Sequence, residues 1–415
     1  MDKVAYLFVL INVVCAQYFE GYPPSTDGLR RIEVNGETES DSSLPYLSRN
    51  KRDYGFGAIQ NKPGHQSAAA QNHGKSDNGF YDFLHYPSYN EIMAYLYRLA
   101  RLHEGVRVIT IGKSYERRDI LGIEITNGDR RNPILFIEAG IHGREWLVPT
   151  TALFAIRSFI SDRAKFPNTD IIIIPVLNPD GYEYSRTTDR MWRKNRSKNS
   201  QSSCEGVDLN RNFDIKWKHR SQSRKPCDET YSGPAAFSEP ETQALKNFFE
   251  RNWNRIKIHI TMHSPVGSIM YPGGVGDSQA QSKKNILSCL AQSAVSVLTQ
   301  PQNTVYKVGP IDRLVGVAAG DSAYWSMIRG GSETSFVLEL PGKAYRMATY
   351  YGFHLPEKYI IPIGTETYQM LSVFGRYAQT GKCSSKSNTQ SKVRPNQKEG
   401  LIDEVTHFVS NLFVG

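Results

Sequence analysis

Two residues with metal-binding side chains, His142 and Glu145, lie three positions apart in the stretch ILFIEAGIHGREWLVPT, residues 134–150. They follow an apolar run and precede a second apolar run that has a helical period. In open α/β sheets, ligands bind at the carboxyl ends of the strands. A tight loop at such a strand end can point both side chains at one cation, although His and Glu also occur at this spacing by chance.

His263 ends another apolar run, KIHITMHS at residues 257–264, again at a predicted strand-to-loop junction. By itself it would be read as an ordinary hydrogen-bonded core histidine. Together with the first pair it completes a set of two histidines and one carboxylate, which leaves zinc a fourth position for water. The three residues therefore predict a catalytic zinc site.

Glu339 and several arginines complete the candidate catalytic residues. The run SFVLELPG places Glu339 in an apolar context, where a carboxylate is costly to bury unless it meets a cation or has a chemical role. Beside a metal site it can take a proton from water and hand it to a leaving amine. Arginine suits a planar carboxylate or a developing oxyanion, and the alternative for these residues is surface basicity. The candidates, with one asparagine, are Arg144, Arg190, Arg193, Asn210 and Arg211.

Alternating apolar segments predict the scaffold that positions these residues. Helical periods alternate with strand-like runs from Phe80 onward, and near-continuous apolar runs such as IIIIPVL are typical of strands covered on both faces. The prediction is one α/β domain over residues 78–382, with a mixed, mostly parallel central β-sheet flanked by helices on both faces. The helical segments begin YNEIM, LVPTT, PETQA, NILSC and IIPIG, and the strand-like ones begin VRVIT, ILGIE, ILFIE, DIIII, IKIHI, SIMYP and SFVLE.

Both ends of the chain differ in composition from this domain. Residues 1–16 place one lysine before a short apolar stretch and small residues, which predicts a secretory signal peptide and a secreted, extracellular protein. Residues 17–77 are predicted to be a flexible pro-region or linker, in which Lys51-Arg52 is either a site for a processing protease or simply exposed charge. Residues 383–415 are predicted to be a polar linker and an amphipathic tail. No other stretch is long enough to span a membrane.

Charge and cysteine content argue against nucleic-acid binding and against a structural zinc site. The chain of 415 residues carries a net charge of +9, but no basic stripe is interleaved with aromatic residues, so no nucleic-acid partner is predicted. Cys15 lies in the signal peptide, and the remaining four cysteines fit two disulfides whose pairing stays open. None of the four has the spacing of a structural zinc site. Asn195-Arg-Ser197 matches a glycosylation sequon.

Several motifs occur in the order and approximate spacing of the zinc metallocarboxypeptidases, namely GIHGREW, NPDGYEYS, MWRKNRS, GVDLNRNFD, CDETYSGPAAFSEPET, MHS and FVLEL. From about residue 80 to residue 382 the chain resembles the carboxypeptidase A/B branch of that family. The resemblance implies that one zinc ion per chain is bound by His142, Glu145 and His263. It also implies a disulfide between Cys204 and Cys227.

The same resemblance assigns roles to the remaining candidates. It implies that Glu339 is the general base and acid and that Arg193 polarises the scissile carbonyl group. It further implies that Asn210 and Arg211 hold the free C-terminal carboxylate of the substrate, with Arg144 assisting nearby. These roles agree with those inferred from the residue types alone.

The chain departs from the family pattern around the substrate-binding mouth. Gly316 stands where the family has a tyrosine whose hydroxyl helps to hold the substrate carboxylate, and its loss is expected to weaken binding more than chemistry. Pro265 replaces another tyrosine that lines a subsite. The position that forms the pocket floor falls on Ala323, and a neutral floor favours apolar or aromatic C-terminal residues. Asp321 nearby keeps a preference for basic residues open.

These observations predict a secreted zinc exopeptidase that hydrolyses the C-terminal peptide bond of peptides or proteins. The alternative is a secreted binding protein that keeps the fold and captures C-termini without turnover. Gly316 favours this alternative, whereas the complete ligand set and Glu339 oppose it. No oligomeric state is predicted.

Overall fold

The computed structural model describes residues 81–383, except 201, 218, 220, 274–276, 299–303, 318 and 344–350. Its strands are β1 (Val106–Lys113), β2 (Asp119–Ile125), β3 (Ile134–Glu138), β4 (Asp170–Ile174), β5 (Ile256–His263), β6 (Val266–Tyr271), β7 (Lys307–Pro310) and β8 (Thr334–Pro341). They form one sheet in the order β1-β2-β4-β3-β5-β8-β6-β7. The pairs β1–β2, β2–β4 and β6–β8 are antiparallel, and the other neighbours are parallel. The predicted mixed sheet is confirmed.

Helices cover both faces of this sheet, as predicted. They are α1 (Tyr89–Leu102), α2 (Leu147–Ser161), α3 (Pro179–Thr187), α4 (Pro240–Arg251), α5 (Ser278–Ser282), α6 (Lys284–Ser296), α7 (Ile311–Leu314), α8 (Ser322–Ile328) and α9 (Ile360–Thr380). Alternate residues of β3 enter two different hydrophobic cores. Leu135 and Ile137 pack in the core that contains residues of α1, α2, α6 and α9, whereas Ile134 and Phe136 pack in the core that contains residues of α4 and α8.

Local sequence features explain where the helices begin and end. α1 begins with a capping box, in which the side chains of Ser88 and Glu91 each accept a hydrogen bond from the other's backbone N–H. α9 ends at Gly381, whose left-handed conformation has a φ of 65°. α2 packs against α9 and is buried along almost its whole length, which explains why its sequence is apolar on most sides.

Two disulfides join described cysteines, Cys204 to Cys227 and Cys289 to Cys383. The first is the pairing that the resemblance implies, and the second ties α6 to the chain just after α9.

Asn195 of the sequon is fully buried, and its side chain donates to two carboxylates, so the folded chain does not offer it for glycosylation. The predicted segments 1–16 and 17–77, and residues 384–415 of the predicted tail, lie outside the described residues. Within the described ranges, none of the helices combines the length and apolar character that crossing a bilayer requires.

Candidate metal centre

The carboxyl ends of three adjacent parallel strands bring the predicted metal ligands and Glu339 together. β5 lies between β3 and β8, and His263 at the end of β5 is the register partner of Glu339 in β8. His142 and Glu145 lie in the short loop between β3 and α2. Gly143 makes this loop possible, because a Cβ atom there would lie 2.3 Å from the carbonyl oxygen of Gly181.

His142, Glu145 and His263 form a compact buried group, which we call the metal centre. One ligand atom of each lies within 4.8 Å of the others, and each residue is at most 3% exposed. Nδ1 of His142 is 2.8 Å from Glu145 Oε1, and Nδ1 of His263 is 3.4 Å from Glu145 Oε2. Burial alone would raise the pKa of Glu145, but the two neighbouring histidines lower it overall. Glu145 is therefore a carboxylate that faces two imidazole nitrogens.

Asp208 lies directly behind the metal centre, and sequence reasoning did not single it out. Its Oδ1 is 3.1 Å from His142 Nε2, and its Oδ2 accepts hydrogen bonds from Nε and Nη2 of Arg193 at 3.1 and 2.9 Å. Burial would raise the pKa of Asp208, but Arg193 and His142 hold it well below its usual range. A carboxylate at Nε2 favours the tautomer of His142 whose lone pair is on Nδ1, the nitrogen that faces Glu145. An acid between the apolar residues Val207 and Leu209 was the signal that could have identified it.

Glu339 is half-buried at the same strand ends, and its Oε2 accepts a 3.4 Å hydrogen bond from the backbone N–H of Val266. Burial raises the pKa of Glu339 to about 7, the negative charge of Glu145 adds to the shift, and His263 opposes it. A carboxyl group with this pKa can both take up and release a proton near neutral pH.

A cavity of about 250 Å³ joins the metal centre to most of the predicted site residues. Besides the metal centre, its lining includes Glu339, Arg193, Asn210 and Arg211. Asn210 lies in a 3-10 turn, Leu209–Arg211, which Asp208 caps. The side-chain Oδ1 of Asn210 accepts from the backbone N–H of Ser322 at 2.9 Å, and its Nδ2 lies 3.4 Å from Nε2 of His263.

Comparisons with known proteins agree with this geometry. The family model described as zinc carboxypeptidase matches residues 92–370. The chain is 36% identical to carboxypeptidase B of Astacus astacus over 72% of this chain and 98% of that protein, and 36% identical to carboxypeptidase A2 of Rattus norvegicus over 72% and 71%. The crystal structure of carboxypeptidase A from Helicoverpa armigera is 33% identical, covers 72% of this chain and 74% of that one, and superposes with a TM-score of 0.66.

The chain belongs to the zinc carboxypeptidase family. It is a metallocarboxypeptidase, and the family implies zinc. The metal centre fits this ion, because it offers two imidazole nitrogens and one carboxylate, the three-ligand set that leaves zinc an open position.

Two of the predicted substrate-binding residues do not line this cavity. Arg144 lies beside it: its Nη1 donates to Glu229 Oε2 at 2.8 Å, and its guanidinium stacks 4.7 Å above the ring of Phe353, which does line the cavity. Ala323 is fully buried in α8, and its carbonyl oxygen accepts a 2.6 Å hydrogen bond from Ser335.

Asp321, the residue that kept a preference for basic C-terminal residues open, lines the cavity that contains the metal centre. Its Oδ1 caps α8 by accepting from the backbone N–H of Tyr324 at 2.8 Å, whereas its buried Oδ2 has no hydrogen-bond partner among the described residues. Burial raises the pKa of Asp321 to about 6, and Arg211 and Lys216 oppose the shift.

At Gly316, the position of the family tyrosine, the backbone has a φ of +82°, and an added Cβ would meet no atom of the described residues within 4 Å. Its neighbour Val315 lines the cavity. Pro265, which replaces another tyrosine of the family, lines the cavity.

Proposed function

We propose that the chain is a secreted zinc carboxypeptidase that removes the last residue from peptides or proteins, with one zinc ion held by the metal centre. The observation that supports this proposal most is that the metal centre, Glu339, Asn210 and Arg211 all line the same cavity. A peptide end can place its last bond beside the metal centre while its free carboxylate meets amide and guanidinium groups.

The side chains divide the hydrolysis between them. His142, Glu145 and His263 would hold a zinc ion, which would supply a Lewis acid for the scissile carbonyl group. Arg211 and Asn210 bind the free carboxylate and so select the bond to be cut. Glu339 takes a proton from water as the water oxygen bonds to the carbonyl carbon, and it gives the proton to the amine nitrogen as the C–N bond breaks. Arg193 uses Nε and Nη2 to bind Asp208 and keeps Nη1 for the charge that develops on the carbonyl oxygen.

A release assay tests the activity. Peptides ending in Phe, Leu, Lys or Arg are incubated with the processed, zinc-loaded protein, and the same peptides with an amidated C-terminus serve as matched controls. We expect one residue to be released from the free peptides, none from the amidated ones, and none after a chelator removes the metal. If no residue is released from any free peptide, the non-catalytic binding protein replaces this proposal.

The walls of the cavity support a preference for apolar or aromatic C-terminal residues. Met270, Ile311, Val315 and Val337 line it and offer an apolar surface to the last side chain of a substrate. On this basis we propose that peptides ending in Phe or Leu are cleaved.

Asp321 supports a second candidate, a preference for C-terminal Lys or Arg. Its Oδ2 is buried beside the cavity without a hydrogen-bond partner in the described part of the chain, which a cationic side chain would supply. Asp321→Asn separates the two candidates. If the carboxylate selects basic residues, the variant loses kcat/KM for Lys and Arg peptides and keeps it for Phe; if the apolar walls decide, Phe and Leu peptides are preferred by both proteins.

We also propose that residues 1–16 direct secretion and are removed. The composition of this segment supports the proposal. Expression of the full chain in a secreting host, with N-terminal sequencing of the product in the medium, tests it: the expected mature chain begins at Gln17, or after Lys51-Arg52 if a processing protease has acted. Retention of the chain in the cells would contradict it.

A further inference from the structure

Another cavity, which we call the distal cavity, lies at the end of the sheet opposite the metal centre. Its volume is about 530 Å³, and its lining includes Asp170, the first residue of β4, and Arg255, which directly precedes β5. The metal centre lies where the parallel strands β3 and β5 end. Among the described residues, none lines both cavities. The distal cavity is therefore separate from the site proposed for hydrolysis.

Buried apolar side chains and arginines share the lining of the distal cavity. The buried apolar residues include Ile111, Ile172 and Phe248. The arginines are Arg107, Arg130, Arg251 and Arg255. A ligand in this cavity would therefore meet apolar surface and guanidinium groups together.

Each acidic residue of this lining already pairs with an arginine. The pairs are Arg107–Glu124 at 2.7 Å, Arg255–Asp170 at 2.6 Å and Arg131–Asp129 at 2.7 Å. Arg130 and Arg251, in contrast, are exposed and form neither an ion pair nor a hydrogen bond with any residue that the structure describes. Two guanidinium groups are thus left for the carboxylates of a ligand, which arginine is well shaped to bind.

The distal cavity also reaches the main chain of β1. Residues 107–111 all line it, although the side chains of consecutive strand residues point to opposite faces of the sheet. The cavity therefore contacts the backbone of this strand as well as its side chains. β1 is the outermost strand and pairs with β2 alone, so its other edge has no neighbouring strand.

The register of β1 shows which main-chain groups this edge offers. The N–H of Thr126 donates to the carbonyl oxygen of Gly105 at 2.8 Å, and these two residues continue the β1–β2 register by one position. Alternate residues of an antiparallel strand bond to the neighbouring strand, and the residues between them point outward. Val108 and Thr110 therefore turn their N–H and C=O groups away from β2, and no described residue bonds to these groups. Such an edge can accept another extended chain.

We propose that this edge binds an extended acidic segment of a partner protein, which adds to β1 as a further strand and places carboxylates beside Arg130 and Arg251. The main-chain groups of Val108 and Thr110 bond to the segment whatever its sequence, and the two arginines select its charge. Because side chains alternate along a strand, every second side chain of the segment faces the distal cavity.

A second copy of this chain is the other occupant that an open edge can accept. It would bring the same two arginines to the interface, whereas an acidic segment balances their charge, so charge complementarity favours the segment. Arginines can also simply protect a strand edge from pairing. In that case no peptide binds, which a binding experiment detects.

Fluorescence anisotropy with the full natural chain tests the proposal. The probe is a labelled peptide of alternating glutamate and valine, acetylated at its N-terminus and amidated at its C-terminus, so that it lacks the free carboxylate of a carboxypeptidase substrate. We expect saturable binding that weakens by at least about 10-fold for Arg130→Glu/Arg251→Glu. Arg101→Glu/Arg376→Glu is the matched control, because it makes the same change of charge at exposed positions of α1 and α9 that do not line the cavity. This control is expected to bind the peptide as the natural protein does.

A second peptide separates strand addition from charge attraction alone. It has the same sequence and charge, but its main-chain amides are N-methylated and can no longer donate hydrogen bonds. We expect its affinity to be at least about 10-fold lower. Absence of saturable binding of the first peptide, equal affinities of the two peptides, or equal losses in the two double variants would each overturn the inference. Should sedimentation show a dimer of the natural protein that does not bind the peptide, a second copy occupies the edge and the inference is likewise wrong.

Discussion

Two glutamates beside His263 differ in the direction of their pKa shifts. Both are desolvated, but Glu145 faces two imidazoles, which lower its pKa, whereas Glu339 faces the negative charge of Glu145, and its pKa rises to about 7. Two carboxyl groups with such different environments suit different tasks. The first suits a permanent metal ligand, and the second suits a group that exchanges protons during turnover.

Glu339→Gln tests this division of roles. The amide keeps the shape of the side chain but cannot carry the proton, so we expect kcat to fall by about 10² to 10⁴-fold. Zinc content, measured by mass spectrometry of the purified protein, is expected to stay at the level of the natural protein, because Glu339 is not part of the metal centre. Turnover close to that of the natural protein would refute the proposed proton transfer.

Asp208→Asn tests the residue that sequence reasoning missed. The amide can turn its NH₂ group toward His142 Nε2 and no longer supplies a charge to Arg193, so we expect zinc affinity to fall by about 10-fold to 100-fold. His142→Ala, which removes a ligand outright, is expected to lose the metal altogether and sets the upper limit of the effect. Zinc dissociation constants of the two variants provide the comparison. If Asp208→Asn binds zinc as tightly as the natural protein, Asp208 has no orienting role.

The first turn of α4 contains a buried pair of carboxyl groups outside the active site. Glu239 precedes the helix, Glu241 lies in its first turn, and the amide of Asn195 donates to both at 2.7 and 3.2 Å. Burial raises the pKa of Glu241 to about 7, and the charge of Glu239 adds to the shift. The helix therefore begins with a carboxyl group that keeps its proton in the folded chain at pH values where the unfolded chain releases it.

This shift predicts the sign of a pH effect on stability. Between about pH 4.5 and pH 7 Glu241 holds a proton in the folded chain that it loses in the unfolded chain. The free energy of unfolding therefore falls as pH rises through this range. Glu241→Gln does not titrate, and we expect its free energy of unfolding, relative to the natural protein, to rise with pH across this window by about 3 kcal/mol at most. Denaturant titrations at several pH values measure it. Glu250→Gln, on an exposed position of the same helix, is the control and is expected to show no such trend.

The segments with strong periodicity were predicted from the sequence, and the short ones were not. The α1 segment and β5 were predicted to begin where the structure has them, at Tyr89 and Ile256, because each buries a regular apolar face. β7 was not predicted, since Lys307–Pro310 is short, polar and at the sheet edge, and neither were α3 and α8, whose few turns depend on tertiary packing. The sequence indicated which strand ends hold His142, His263 and Glu339. It could not show contacts between distant residues, such as Asp208 with His142 or Asp321 with the cavity.

The two disulfides close loops that differ in how much regular secondary structure they contain. Cys204–Cys227 encloses a segment whose helical structure is confined, in its described residues, to the 3-10 turn Leu209–Arg211, yet this segment holds Asp208, Asn210 and Arg211. Cys289–Cys383 spans 94 residues, and these include β8, which is fixed between β5 and β6 in the middle of the sheet. We therefore expect the first cross-link to order active-site residues, and we expect Glu339 to keep its place without the second.

Removing each disulfide separately is expected to separate stability from activity. For Cys289→Ser/Cys383→Ser, loss of a long closed loop is expected to cost about 4 kcal/mol in the free energy of unfolding, while kcat/KM changes by less than about 3-fold. For Cys204→Ser/Cys227→Ser, the shorter loop implies a smaller entropic cost, about 3 kcal/mol, but kcat/KM is expected to fall further because Asp208, Asn210 and Arg211 lose their common support. Denaturant unfolding and peptide release by both variants measure the two quantities. If both double variants lose activity equally at temperatures where both are folded, the cross-links do not act on separate parts of the molecule.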